Sequence, residues 1–372
     1  MLIGVPKEIK NHEYRVGMVP ASARELIAHG HQVIVEHNAG IGIGFTDADY
    51  QAIGAEVRQS ADQIFAEADM IVKVKEPLAE ERAKIREGQI LFTYLHLAPD
   101  EPQTKDLINS GAVCIAYETV TSDTGGLPLL APMSEVAGRM SIQAGAQCLE
   151  KSRQGRGMLL GGVPGVSPAK VVIIGGGVVG NNAAQIAVGM GAQVVLLDRN
   201  IDVLRRANVQ FGATVETVFS SKDALERHVL DADLVIGGVL IPGAAAPKLV
   251  TKEMIHQMKP GAAVVDVAID QGGCFETSKA TTHAEPTYII DDVVHYCVAN
   301  MPGAVPHTST FALNNATLPY IINLANKGYK QALADDKHLL NGLNVYRGQV
   351  THKSVADSQN LPFVDPREAL EL

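Results

Sequence analysis

Residues 171–198 read VVIIGGGVVGNNAAQIAVGMGAQVVLLD. The opening VVII is apolar and β-branched, which suits a strand buried on both faces. Gly175, Gly177 and Gly180 follow at the spacing G-x-G-x-x-G, and small helix-forming residues come next. Each glycine has its own task. The first permits a tight turn, the second lets a pyrophosphate reach the backbone, and the third lets helix and strand pack closely. A helix opening at Val178 and Val179 presents unpaired N–H groups to phosphate oxygens. Asp198 closes the second strand, 18 residues beyond Gly180. An acid there accepts hydrogen bonds from a ribose 2′-hydroxyl and repels a 2′-phosphate. The stretch predicts a Rossmann-type unit that binds NAD in preference to NADP, a preference softened by the neighbouring Arg199. A glycine-rich turn without a ligand is the alternative. The strand, helix and acid around the motif argue against it.

Strand-like runs continue beyond this unit at 213–219, 233–240 and 262–270. Upstream, apolar runs at 2–9, 31–40, 69–77, 89–97 and 112–120 alternate with helix-like segments at 22–30, 46–56, 78–88 and 99–111, several ending in Gly. That alternation implies a second parallel sheet covered by helices. The small-residue segment 132–152 reads as a helix linking two domains, with Ser134 at its N-cap. A helical pattern at 309–335 contains Pro319, which should kink or divide it. The remaining tail is too short for a third core, so it should pack back on the first domain. The expected fold is α/β, with two Rossmann-like domains on parallel sheets. The first, 1–130 completed by 306–372, is the substrate domain. The second, 131–305, is the NAD-binding domain, and the linking helix lies near 133–150.

The chain has 372 residues, 46% apolar and 19% charged, long enough for two cores. Its 31 basic and 41 acidic residues leave a net charge of −10, which argues against a nucleic-acid partner. Four scattered cysteines form no CxxC pair, so neither a zinc site nor a disulfide framework is expected. No stretch approaches the ~18 apolar residues of a membrane span, and no signal peptide is evident. A cytoplasmic protein without a bound metal is the expectation.

In open α/β sheets ligands bind beyond the carboxyl ends of strands. That rule selects Arg15 after the first strand, Lys75 at the end of DMIVKVK, His96 at the end of QILFTYLH, and Asp270 at the end of AAVVDVAID. Arginine can hold a carboxylate bidentately, and lysine adds a point charge. Histidine exchanges protons near neutral pH, and an aspartate can accept hydrogen bonds from an amine or water. The set suits a small amino or oxo acid. Taken singly, each has a plain structural reading: a surface ion pair for Arg15, a solvated strand edge for Lys75, and caps for His96 and Asp270.

Several segments together resemble the bacterial alanine dehydrogenases. They are MLIGVPKEIKNHEYRVGMVP (1–20), IVKVKEP (71–77), LFTYLHLA (91–98), PMSEVAGRMSIQAGA (132–146), GGVLIPGAAAPKLV (237–250), VVDVAIDQGGCFETS (264–278) and VANMPGAVPHTSTFALNNATLPY (298–320). The resemblance implies paired Rossmann-like domains with an active-site cleft between them, NAD as cofactor, and L-alanine, pyruvate and ammonium as substrates. It implies a homo-oligomer, commonly a hexamer. It also implies that Arg15 and Lys75 bind the substrate carboxylate and that His96 and Asp270 act in proton transfer. Ser134, Gly175, Gly177, Val178, Val179, Gly180, Asp198, Ser220, Val239, Leu240, Val267, Ala268, Ile269, Asn300 and Met301 correspond to cofactor contacts. Val203 stands where some members carry a basic residue. Two rivals remain. The NAD-binding subunit of a proton-translocating transhydrogenase shares the plan but works with a membrane partner. A non-enzymatic NAD-sensing protein would need a substituted catalytic set, and none is seen.

Overall fold

The computed structural model describes residues 1–239 and 246–372 and divides into two compact units, Met1–Met133 with Val305–Leu372, and Ser134–Ala304. In chain order its strands are β1 (Leu2–Val5), β2 (Gln32–Glu36), β3 (Glu56–Arg58), β4 (Met70–Val72), β5 (Ile90–Thr93), β6 (Val113–Ala116), β7 (Lys170–Ile174), β8 (Gln193–Asp198), β9 (Val215–Phe219), β10 (Leu234–Gly237), β11 (Ala263–Asp266), β12 (Thr287–Ile290), β13 (Val293–Tyr296), β14 (Leu343–Tyr346) and β15 (Gln349–Val350). The first unit holds the sheet β15-β14-β6-β5-β4-β1-β2-β3, and the second holds β12-β13-β11-β10-β7-β8-β9.

Both sheets are mainly parallel, and both contain the doubly wound order. It reads β3-β2-β1-β4-β5-β6 in one and β9-β8-β7-β10-β11-β13 in the other. The order reverses between β1 and β4, and again between β7 and β10. Loops leaving those strands diverge and open a crevice where ligands bind. Antiparallel pairing is confined to the edges. β12 pairs with β13, β14 with β6, and β15 with β14. Asp291–Asp292 and Arg347–Gly348, which join the two hairpins, all have positive φ. Two left-handed residues in a row match the twist of a hairpin. The C-terminal strands β14 and β15 thus extend the first sheet.

The second sheet shows why its strands read as unbroken apolar runs. Val171, Ile173, Val194, Leu196, Leu234 and Ile236 join one buried cluster. Their chain neighbours Val172, Ile174, Val195, Leu197 and Val235 join the cluster on the opposite face. Side chains alternate faces along a strand, so burial on both sides removes the polar half of the pattern. In the first unit, Ile34, Ile71, Leu91, Cys114 and Val345 pack with Ile64, Phe65 and Leu107.

One local expectation is corrected, and one is narrowed. The helix Ala131–Cys148 starts before Ser134, so that serine lies in the first turn and is not the N-cap. Pro132 explains the earlier start, because its fixed φ suits the first turn and its missing N–H is not needed there. The helix Pro306–Lys327 runs through Pro319 without dividing. Its buried stripe continues across the proline, from Leu313, Asn314 and Thr317 to Ile321 and Leu324, and holds both halves to one core. No helix among the described residues is long and apolar enough to cross a membrane.

Phe92 is fully buried in β5 and meets Tyr117 edge-on, ring centres 4.5 Å apart. Phe92→Ala should cost about 3–5 kcal/mol through lost transfer energy and a residual cavity. Thermal unfolding followed by circular dichroism checks this, and a melting curve matching the parent's contradicts it.

Candidate active site

β1, β4 and β5 lie side by side in the first sheet, so the loops leaving them are neighbours. Arg15 stands in the loop after β1. That loop is held by Tyr50, whose hydroxyl donates to Met18 O at 2.8 Å, and by Asn314, whose Oδ1 accepts from Val19 N–H at 2.8 Å. Arg15 is 2% exposed, so the surface ion pair weighed for it is excluded. It donates through Nε and Nη2 to the two carboxylate oxygens of Glu13, both at 2.6 Å, and through Nη1 to Met133 Sδ at 3.1 Å. Burial works against its charge and Glu13 outweighs that, so Arg15 stays cationic.

Strand β4 stops at Val72 and β5 at Thr93, so Lys75 and His96 stand in the loops beyond and do not close the strands themselves. The Lys75 loop rests on a buried group of charges. Lys73 Nζ donates to Glu81 at 2.7 Å and to Glu8 at 3.2 Å. Glu8 Oε1 also accepts from Val74 N–H at 2.7 Å and Lys75 N–H at 3.4 Å. Burial disfavours the Lys73 charge, and its two carboxylates outweigh that. Lys75 Nζ itself lies 3.5 Å from Glu76 Oε2. Glu76 also pairs with Lys10 from the loop after β1. Burial pushes the Glu76 carboxyl up, and Lys75, Lys10 and His96 together pull it further down, to about 2. Glu76 therefore links the exits of all three strands. A second link is Tyr94. Its ring stacks on His96 with centres 5.9 Å apart and planes 13° apart, and it feels the charge of Arg15.

In the second unit the glycine loop behaves as its chemistry requires. Gly175 has φ +97°, a conformation that L side chains rarely adopt. A Cβ on Gly180 would lie 1.7 Å from Gly175 O, whereas one on Gly177 would meet nothing within 4 Å. The turn is closed on its packed side and open at Gly177. The helix Val178–Gly189 that follows has no side-chain cap, so its first N–H groups remain for an anion. Asp198 Oδ2 accepts from Gly176 N–H and Oδ1 from Asn200 N–H, each at 2.7 Å. Ser220 N–H donates to Asp198 O at 2.9 Å, which puts Ser220 beside the same turn. The Val203 methyl packs over Gly176, where a Cβ would approach it to 2.6 Å. Val239 lies against Gly175, while Leu240 falls outside the described residues. An open glycine, an uncapped helix start and an acid at the second strand end fit a dinucleotide pyrophosphate and ribose.

Asp270, with Val267, Ala268 and Ile269, forms the 3-10 turn Val267–Gln271 after β11. Asp266, fully buried, shapes this turn by accepting from Ala268 N–H at 3.1 Å and Cys274 N–H at 2.9 Å, and from the Ser278 hydroxyl. Burial raises its carboxyl against those bonds. Asn300 has φ +65°, its carbonyl sits 3.0 Å from His283 Nε2, and Met301 beside it is buried. Ser134 occupies the first turn of its helix.

Residues 4–137 match the Alanine dehydrogenase/PNT N-terminal domain, and residues 141–353 match the Alanine dehydrogenase/PNT C-terminal domain. The chain belongs to the alanine dehydrogenase/PNT family. An alanine dehydrogenase from Halomonas elongata is 60% identical over 365 residues, 98% of each chain. A solved L-alanine dehydrogenase matches with a TM-score of 0.94 at 52% identity, covering 97% of this chain and 99% of its own. A transhydrogenase from Sinorhizobium meliloti is more distant, with a TM-score of 0.80 at 25% identity over 95% and 99% of the two chains.

Sequence reasoning passed over the carboxylates that support these loops: Glu8, Glu13, Glu76, Glu118 and Asp266. A signal existed for some of them. Glu13 lies two residues from Arg15, and Glu76 directly follows Lys75. Glu118 gives no such signal, because its partners Leu95 and His96 are distant in sequence.

Glu76 titrates below its ordinary 4.5 in the folded chain. Its contribution is therefore complete above that value and fades as pH falls toward about 2. Urea unfolding of the parent and of Glu76→Gln at pH 6, 4 and 3 should show a stability difference that shrinks with acidity. A difference that stays constant or widens contradicts the assignment.

Proposed function

We propose that this chain interconverts L-alanine with pyruvate and ammonium, using NAD as hydride acceptor. The observation that carries this reading is the 60% identity to an alanine dehydrogenase along 98% of both chains. Substrate binding is assigned to residues 1–130 with 306–372, and NAD binding to 131–305. Four free, buried cysteines suit a reducing cytoplasm, and the working form is taken to be a homo-oligomer, a hexamer by family resemblance.

Arg15 and Lys75 hold the substrate carboxylate, the guanidinium by direction and the ammonium as a point charge. Glu13 fixes the guanidinium plane through two 2.6 Å hydrogen bonds, so little ordering remains for binding to impose. His96 takes a proton from the substrate ammonium, which frees the nitrogen lone pair that drives loss of hydride from Cα. Bound NAD supplies the acceptor for that hydride. Water then adds to the imine carbon. His96 passes protons between the new hydroxyl and the departing nitrogen, and Asp270 accepts hydrogen bonds from water or amine. Ammonium leaves and the oxo acid remains. Gly175–Gly180 and Asp198 hold the dinucleotide. Ser134, Ser220, Val239, Leu240, Val267, Ala268, Ile269, Asn300 and Met301 are assigned as further cofactor contacts.

Absorbance at 340 nm with pyruvate, ammonium and NADH tests the reaction, with NADPH and other oxo acids as controls. Loss of His96 should remove general acid–base catalysis, so His96→Gln should lower kcat by about 10²–10⁴-fold while NADH fluorescence titrations stay unchanged. A kcat near the parent's refutes its role. Asp198→Ala should act conversely. Losing a hydrogen bond to a charged group weakens NADH about 10–100-fold, with kcat at saturating NADH largely kept. Unaltered NADH affinity would remove Asp198 from the ribose site.

A further inference from the structure

His96 has φ +50°, the left-handed region that non-glycine residues enter uncommonly. Such a conformation persists only where the surroundings over-determine it. Here two side chains grip the Leu95–His96 peptide. Glu118, in the 3-10 turn Tyr117–Thr119 after β6, accepts His96 N–H on Oε1 at 2.7 Å. The same carboxylate accepts Leu95 N–H, at 3.3 Å on Oε1 and 3.2 Å on Oε2. On the other side, Gln103 Nε2 donates to Leu95 O at 2.5 Å.

Gln103 is 0% exposed, and its Oε1 has no hydrogen-bond partner among the described residues. A buried polar atom left unsatisfied weakens a fold. An apolar side chain of similar size would avoid that penalty, yet the glutamine is present and its amide faces Leu95 O. The neighbouring Tyr94 ring then stacks on the imidazole, and the Tyr94 hydroxyl is tied to Leu129 O. Backbone and ring of His96 are therefore fixed from three directions.

We propose that Glu118 and Gln103 are positioning residues for His96. Together they hold its backbone in the left-handed turn that aims the imidazole at the substrate nitrogen and oxygen. This rests on the reading that His96 moves the protons. Neither residue touches substrate in this account. Both act through the peptide that carries the imidazole, and the carboxylate-binding pair Arg15 and Lys75 lies on other loops. Turnover should depend on the clamp, while binding of the oxo acid should not.

The experiment compares steady-state kinetics of the parent, Glu118→Ala, Glu118→Gln, Gln103→Leu and His96→Gln with pyruvate, ammonium and NADH. A misplacement of about 1 Å can cost 10²-fold in rate, so Glu118→Ala should lower kcat by about that factor. Its KM for pyruvate and its NADH affinity should stay within about twofold of the parent. Glu118→Gln keeps one accepting oxygen and should recover most of the loss. Gln103→Leu should lower kcat with the parental melting curve preserved, a combination that a merely structural glutamine does not produce. Should Glu118→Ala fail to fold, Gln103→Leu and Glu118→Gln still decide the matter. Parental kcat in Gln103→Leu and Glu118→Ala, alongside an inactive His96→Gln, overturns the clamp. So does a fall in kcat and pyruvate affinity together that glutamine at 118 does not reverse. An active His96→Gln defeats the reading of His96 itself, a separate result.

Discussion

Where a parallel strand stops, the peptide groups beyond it lose their ladder partners, and each buried N–H needs an acceptor. In this chain, acidic side chains supply that acceptor at the loops to which the proposed function assigns chemistry. Glu8 takes the N–H groups of Val74 and Lys75, and Glu118 those of Leu95 and His96. Asp198 takes those of Gly176 and Asn200, and Asp266 those of Ala268, Cys274 and Phe275. The loops held this way carry Lys75, His96, the glycine turn and Asp270. A neutral acceptor could satisfy the same donors. A carboxylate brings two acceptor oxygens, so one side chain can hold two neighbouring N–H groups.

The same device shapes the electrostatics of the first unit. Arg15, Lys73 and Lys75 each have a carboxylate neighbour, Glu13, Glu8 with Glu81, and Glu76 respectively. Isolated buried cations would be expensive. Pairing keeps Arg15 and Lys73 charged without water and fixes their orientation. The net charge of −10 thus says little about the local field at these loops, where acids and bases are matched one against another.

The dinucleotide turn could be read from the sequence because its determinants are local. Strand, three glycines, helix and acid all fall within residues 171–198. The strand exits carrying Arg15, Lys75, His96 and Asp270 could be found for the same reason, since apolar runs mark where strands stop to within a few residues. The supporting partners were harder. Glu118 meets His96 across two strands, and Asn314 meets Val19 across most of the chain. Such pairs depend on strand order, which no short window contains. Ser134 was misplaced because a good capping residue was weighed without the proline two positions earlier. Pro319 does not divide its helix, because packing of one continuous buried stripe holds both halves together. The edge hairpins escaped notice since Asp291–Asp292 and Arg347–Gly348 are weak turn signals beside Asn-Gly.

Residue 96 sits where glycine would rest most comfortably, because glycine reaches positive φ at no steric cost. With the proton-transfer role proposed for His96, the position sets foldability and chemistry against each other. Selection for heat tolerance alone, in a laboratory library or a lineage relieved of its metabolic duty, would favour losing the imidazole there. A histidine kept at this position under such drift is thus a record of use, and its replacement by glycine in a sister sequence would mark a protein that has retired from proton chemistry while keeping its shape.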